Sequence, residues 1–189
     1  MAEFEFTLVV AGLDPNDEGI EDRLYEAGCD DALVSVIKAT VVLDFTREAK
    51  NFAHALASAI SDVRRAGARV VRVEPDNYVN VSDIAERAGL TRQAVSLLVQ
   101  GKRGPGNFPA PAVRVSTDSP LWDWHAVARW LLRAKKLRDR EAVVQAAVTR
   151  EANIVLEAAE GSASARRVLQ RVLAADARPE LRRRLTRAS

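Results

Sequence analysis

Two hydrophobic periods alternate along the first 75 residues, and no other feature limits the possible folds as strongly. Phe4, Phe6, Leu8 and Val10 recur every second residue with Glu5 and Thr7 between them, the mark of a half-buried strand over about 4–11. Beyond the turn residues Gly12, Asp14, Pro15 and Asn16, an acidic first turn leads into Ile20, Leu24 and Ala27 at helical spacing, and Gly28 stops them. The β-branched run that follows is long enough for two strands, roughly 31–36 and 40–45, joined by a tight turn at Ile37-Lys38-Ala39. Phe52, Leu56, Ile60 and Val63 line one face of a helix predicted from about 47 to 66 and ended by Gly67, before the alternating strand 69–73. The predicted order is βαββαβ.

Right-handed crossovers close that order as a four-stranded antiparallel sheet with both helices on one face, a ferredoxin-like sandwich. Pro75-Asp76-Asn77 marks its end, so residues 1–76 are expected to form an accessory domain. From Val79 the pattern turns helical, with short helices at 81–88 and 91–100 separated by Gly89-Leu90. Four of the seven prolines and three of the nine glycines fall in 101–120, which reads as loop and short hairpin, and Trp122 to Leu132 returns to helix. Residues 79–132 therefore form a second predicted domain. Residues 133–189 are a helical C-terminal region with Ala-rich stretches at 138–159 and 162–175, split by Gly161-Ser162 and followed by a basic tail from Arg178 to Arg187. Their apolar stripes carry Val143, Val144, Ala147, Val148, Ile154 and Val155, then Val168, Leu169, Val172 and Leu173.

Composition removes several function classes. One cysteine and two histidines supply neither a disulfide framework nor a zinc finger, and Cys29, without a basic neighbour in sequence, reads as structural. His54 lies beside the apolar face of its helix and reads as a structural histidine. With no nucleophile and base set to argue for, no enzymatic activity, catalytic residue, metal or cofactor is expected. The acidic run from Asp14 to Asp31 opens like a calcium loop, but Tyr25 stands at the twelfth position where a bidentate glutamate is required. The N-terminus has no basic segment followed by an apolar one, and Lys38 interrupts the most apolar stretch, so a cytoplasmic protein with no membrane contact is expected. The net charge of +2 conceals a polarity: residues 1–100 carry 17 acidic against 10 basic side chains, a net of −7, and residues 101–189 carry 9 against 18, a net of +9. A basic half points to a polyanionic partner.

The segment VSDIAERAGLTRQAVSLLVQGKRG, from Val81 to Gly104, combines a small residue at Ala85, a turn glycine at Gly89, a corner filler at Leu90 and inward anchors at Val95 and Leu98. Ser82 is expected to cap its first helix and Thr91 its second. It resembles the helix-turn-helix of bacterial transcriptional regulators, most closely the lactose-repressor type. The resemblance implies that the helix 91–100 enters the major groove of double-stranded DNA with Arg92, Gln93, Ser96 and Gln100 facing out. Arg reads guanine and Gln reads adenine by paired hydrogen bonds. Leu97 occupies a position where lactose-type repressors often carry a polar base reader.

The next stretch, GKRGPGNFPAPAVRVSTDSPLWDWHAVARWL, is similar to excisionase-like and MerR-like winged regulators, in which a phenylalanine–proline pair opens the wing and a tryptophan opens the next helix. Phe108-Pro109 and Trp122 or Trp124 occupy those places. Trp122, Trp124 and Trp130 read as core beneath the wing rather than as a stacking platform. Lys102 and Arg103 stand where the helix exits, within reach of phosphate, and no acid intervenes between Arg92 and Val115. The predicted fold is thus α+β, a ferredoxin-like βαββαβ sandwich followed by a winged helix-turn-helix and C-terminal α-helices. The predicted function is sequence-specific transcriptional regulation through Ser82, Thr91, Arg92, Gln93, Ser96, Gln100, Lys102 and Arg103. A rival reading is a protein-interaction adaptor or antitoxin-like partner whose helix-turn-helix only autoregulates its operon. A homodimer is expected, through the helical stripes of 138–175 in preference to the N-terminal sheet, which also remains open to another protein.

Overall fold

The computed structural model describes residues 1–161 together with Arg167 and Gln170. The chain is mixed α+β, with a four-stranded antiparallel sheet, a two-stranded sheet and six helices among the described residues. The first six elements are β1 (Ala2–Ala11), α1 (Ile20–Glu26), β2 (Ala32–Ile37), β3 (Thr40–Ala49), α2 (Phe52–Arg65) and β4 (Arg69–Glu74). The larger sheet runs β2-β3-β1-β4 with every neighbouring pair antiparallel. In the β1–β3 register Phe6 faces Phe45, Leu8 faces Leu43 and Val10 faces Val41, all buried. The Phe6 and Phe45 rings stack at 5.3 Å, and Phe52 of α2 meets Phe6 edge-on at 5.7 Å. Aromatic pairs in these geometries contribute about 1 kcal/mol beyond their buried area.

The boundary between β3 and α2 departs from the sequence reading. The helix expected from residue 47 begins at Phe52, because β3 continues to Ala49 with Phe45, Arg47 and Ala49 alternating inward. Arg47 is a buried charge. Its Nε and Nη2 donate to both oxygens of Asp31 at 2.7 Å, and its Nη1 donates to Asp62 at 2.7 Å. Nη1 also reaches Ser58 at 3.1 Å, and Nη2 reaches the Gly28 carbonyl at 2.8 Å. The Asp31 hydrogen bonds foremost hold its pKa above the ordinary arginine value. Cys29 lies beside this network, where burial and then the Asp62 carboxylate push its thiol up to about 11, which disfavours the nucleophilic thiolate. Asn51 ends the strand and caps α2, its Oδ1 accepting the His54 N–H at 3.0 Å, and the His54 ring itself meets Asn51 at 2.9 Å.

The remaining elements are β5 (Tyr78–Val79), α3 (Val81–Ala88), α4 (Arg92–Val99), β6 (Trp122–Asp123), α5 (Trp124–Arg133) and α6 (Arg140–Glu160). β5 and β6 pair, with Tyr78 against Asp123 and Val79 against Trp122, so the chain returns to its starting point after the α3–α4 excursion. A second core gathers there from Val79, Ile84, Val95, Leu98, Trp122, Trp130 and Leu131. Residues 1–154 form one compact unit, and the described residues from Val155 fall outside it. Within the first unit the buried Asn153 of α6 accepts the Val73 N–H at 2.8 Å and donates to the Val73 carbonyl at 3.0 Å. The same amide donates to Asn77 at 3.0 Å, and the Asn77 carbonyl accepts the Trp124 N–H at 2.8 Å. One side chain thereby pairs with the exposed edge of β4 as a neighbouring strand would, and links it to α5. The second C-terminal stripe at 162–175 and the basic tail at 178–187 lie outside the described residues. No helix among the described residues is long and apolar enough to cross a membrane.

Candidate nucleic-acid interface

The candidate surface is built on α3 and α4, whose ends are closed by side chains. Asn80 caps α3, its Oδ1 accepting the N–H groups of Ser82 at 2.6 Å and Asp83 at 3.1 Å, while Asp83 returns the bond by accepting the Asn80 N–H at 2.8 Å. The expected Ser82 cap is therefore corrected. α3 begins at Val81, as expected, but its cap is Asn80, two positions before Ser82, and the Asn80-x-x-Asp83 spacing of a reciprocal capping box is the sequence signal that would have found it. Ser82 is left exposed with its hydroxyl outside the cap. At the other end Gly89 takes φ 62°, a left-handed conformation that glycine adopts without strain, and the Leu90 N–H closes onto the Ala85 carbonyl at 2.8 Å. Thr91 then caps α4 as expected, its Oγ1 accepting the Ala94 N–H at 3.1 Å.

Val95 and Leu98 are buried and turn the opposite face of α4 outward. Arg92, Gln93 and Gln100 are exposed there; Ser96 is half-buried and its hydroxyl donates to the Arg92 carbonyl at 3.0 Å. Past α4, the backbone N–H groups of Lys102 and Arg103 cap the Leu97 carbonyl at 3.0 and 3.2 Å, leaving both cationic side chains in solvent. Gly104 fixes this exit. Its φ is 86°, and a Cβ there would stand 3.0 Å from Leu98 and 3.3 Å from Trp130.

Beyond the exit, Phe108 packs edge-on against Trp130 at 5.0 Å and Trp122 at 6.4 Å. The indole N–H groups of Trp122 and Trp130 donate to the Pro109 and Gly106 carbonyls, each at 3.0 Å. All three tryptophans are buried, so they hold the loop down and offer no stacking platform. The hairpin beyond them is a single bridge between Val113 and Leu121, consistent with a segment whose prolines remove ladder donors. Asp123 caps α5 through Ala126 and is held by Arg150 of α6 at 2.8 Å, so α5 begins at Trp124 instead of Trp122.

A groove of about 530 Å³ opens between the start of α3, the outer face of α4 and residues 114–122. It brings together Ser82, Arg92, Ser96 and Gln100. Thr91, Gln93, Lys102 and Arg103 do not line it. Arg114 does, and sequence reasoning missed it, because its position depends on the bridge that places residue 113 against residue 121. Asp118 is the one acid on the groove wall. The side chains of Arg92, Lys102, Arg103 and Arg114 make no hydrogen bond or ion pair with any described residue. No protein-family model, curated protein or solved structure matches the chain.

Arg87, on the inner side of α3, behaves oppositely. Its guanidinium lies 5.5 Å from the Trp124 ring centre and donates to the Asp76 carbonyl at 2.8 Å. Burial lowers its pKa against the counter-pull of Asp83, Asp76 and Glu86. Among the described residues no three His, Cys, Asp or Glu side chains stand together as metal ligands. The acids of the 14–17 turn instead serve the backbone: Asp14 accepts the Asn16 N–H at 3.0 Å, and Asp17 accepts the Gly19 N–H at 2.9 Å and pairs with Arg23.

Proposed function

We propose that residues 79–132 form a winged helix-turn-helix that binds double-stranded DNA, and that the chain is a sequence-specific transcriptional regulator. In this reading α4 lies in the major groove. Arg92 and Gln93, in its first turn, meet base edges, Arg by a paired bond to guanine and Gln by a paired bond to adenine. Gln100 extends the contact along the helix. Lys102, Arg103 and Arg114 neutralise phosphates on either side, and Ser82, free of capping duty, donates to a phosphate at the start of α3. The residues 108–121 act as the wing. Residues 1–76 are read as a ferredoxin-like accessory domain, on the support of the βαββαβ order and the strand order β2-β3-β1-β4.

The observation that carries the reading is the outward face of α4. A helix anchored by Val95 and Leu98 presents an arginine and two glutamines to solvent, flanked by cations that no described residue neutralises. Selection from a randomised duplex library by the full-length protein, followed by sequencing, tests it. Enrichment of a short motif with fixed guanine and adenine positions is the expected result. Recovery of unenriched sequence from repeated rounds would count against base reading by α4.

A further inference from the structure

β2 lies at one edge of the four-stranded sheet, with no described strand on its outer side. Edge strands of soluble proteins are normally protected by a lysine, a proline or a bulge. The β2 sequence, Ala-Leu-Val-Ser-Val-Ile, has none of these, and Leu33, Val36 and Ile37 are 70%, 49% and 54% exposed. The Thr46 N–H bonds the Asp31 carbonyl at 3.0 Å, and in an antiparallel pair such bonds fall on alternate residues, so Leu33, Ser35 and Ile37 turn their backbone groups toward β3. Val34 and Val36 therefore direct both backbone groups to the open edge. Ala32 adds its carbonyl, its N–H being bonded to Cys29. Beside this edge a groove of about 260 Å³ lies between α1 and β2, with Leu24, the 67%-exposed Tyr25, Ala32 and Val34 on its walls.

We propose that two copies of the chain pair through β2, antiparallel about a two-fold axis at Val34, to make one continuous sheet across the dimer. The charges at the strand ends select both the partner and the direction. Asp30 precedes β2 and Lys38 follows it, both exposed and neither ion-paired with a described residue. Antiparallel pairing sets Lys38 of each copy beside Asp30 of the other, whereas parallel pairing would set like charges together. The two-fold operation also carries Val36 of one copy, on the helix-covered face of the sheet, to the Ala32 end of the other, where the groove beside Tyr25 receives it. This pairing stands apart from the DNA reading, since it is measured without DNA.

Light scattering and sedimentation on the full-length chain at micromolar concentration test the pairing. The wild type is expected to be a dimer. Val34→Pro removes an N–H that bonds nothing in the monomer and is expected to give a monomer with the wild-type circular dichroism spectrum. Asp30→Lys and Lys38→Asp, both at exposed positions, each face like charges across the axis and weaken the dimer about tenfold. The D30K/K38D double variant restores the opposite-charge pairing and the wild-type affinity. A wild-type monomer would overturn the proposal. So would a dimer indifferent to all three single substitutions, which returns the interface to the helical stripe, or a double variant no tighter than the singles.

Discussion

The inner face of the sheet at β3 and the outer face of α4 use arginine in opposite ways. Arg47 in the sheet is buried and donates to two carboxylates, a hydroxyl and a carbonyl, so its charge is consumed in holding β3, α2 and the 28–31 turn together. Arg92, Lys102, Arg103 and Arg114 around α4 have no such partners among the described residues. A buried charge is stable only when fully paired, and removing one partner strands the others. An exposed, unpaired cation contributes little to folding and keeps its full charge for an anionic ligand. The sheet is thus a place where charge makes structure, and α4 is a place where structure holds charge out.

Substitution at Arg47 breaks that comparison most severely. Arg47→Ala leaves Asp31 and Asp62 without their shared cation, although the partner carboxylates keep some solvent contact and Arg65 still pairs with Asp62. A loss of about 3 kcal/mol is expected, seen as a midpoint of thermal unfolding lower by about 10 °C. A change within about 0.5 kcal/mol, the range of an ordinary surface site, would remove Arg47 from the structural class. Next in size is Asn153→Ala, which strips the Val73 N–H and carbonyl of their partner. Denaturant unfolding should register about 2 kcal/mol, and faster amide exchange at Val73 should accompany it. Unchanged exchange there would mean that water replaces the side chain without cost.

The smallest effect on folding is expected at the exit of α4. The K102A/R103A double variant should unfold at the wild-type denaturant midpoint while the dependence of DNA affinity on salt flattens by about one to two units. Equal weakening on specific and random duplexes is expected, because phosphates carry no sequence. A loss confined to the specific site would recast these two residues as base readers.

How much of this was legible in the sequence follows the same division. Phe4 to Val10 showed their strand because burial there follows alternation, whereas in β4 the buried residues are Val70 and Val73, three apart, since the register shifts opposite Val9 and Val10. The end of β3 did not show, since the burial of Arg47 is decided by Asp31 and Asp62, each some fifteen residues away in sequence and adjacent only after folding. β5 and β6, two residues each, are too short for any periodicity. On α4 the reverse holds: Val95 and Leu98 define the inner face, and the exposure of Arg92, Gln93 and Gln100 follows from 3.6 residues per turn. Arg114 escaped notice because only the Val113–Leu121 bridge places it on the groove, and Ser82 was assigned the capping role that Asn80 holds.

The central claim, that α4 reads DNA, is tested most directly by fluorescence anisotropy of the full-length protein on a selected duplex and on a scrambled duplex of equal length, at one salt concentration. The R92A/Q93A variant should keep the wild-type unfolding midpoint and its affinity for scrambled DNA to within a few-fold. Its preference for the selected duplex should fall by about a hundredfold, since each of the two side chains supplies roughly 1–3 kcal/mol of base discrimination. A double variant that binds the selected duplex as tightly and as selectively as the wild type would contradict the account.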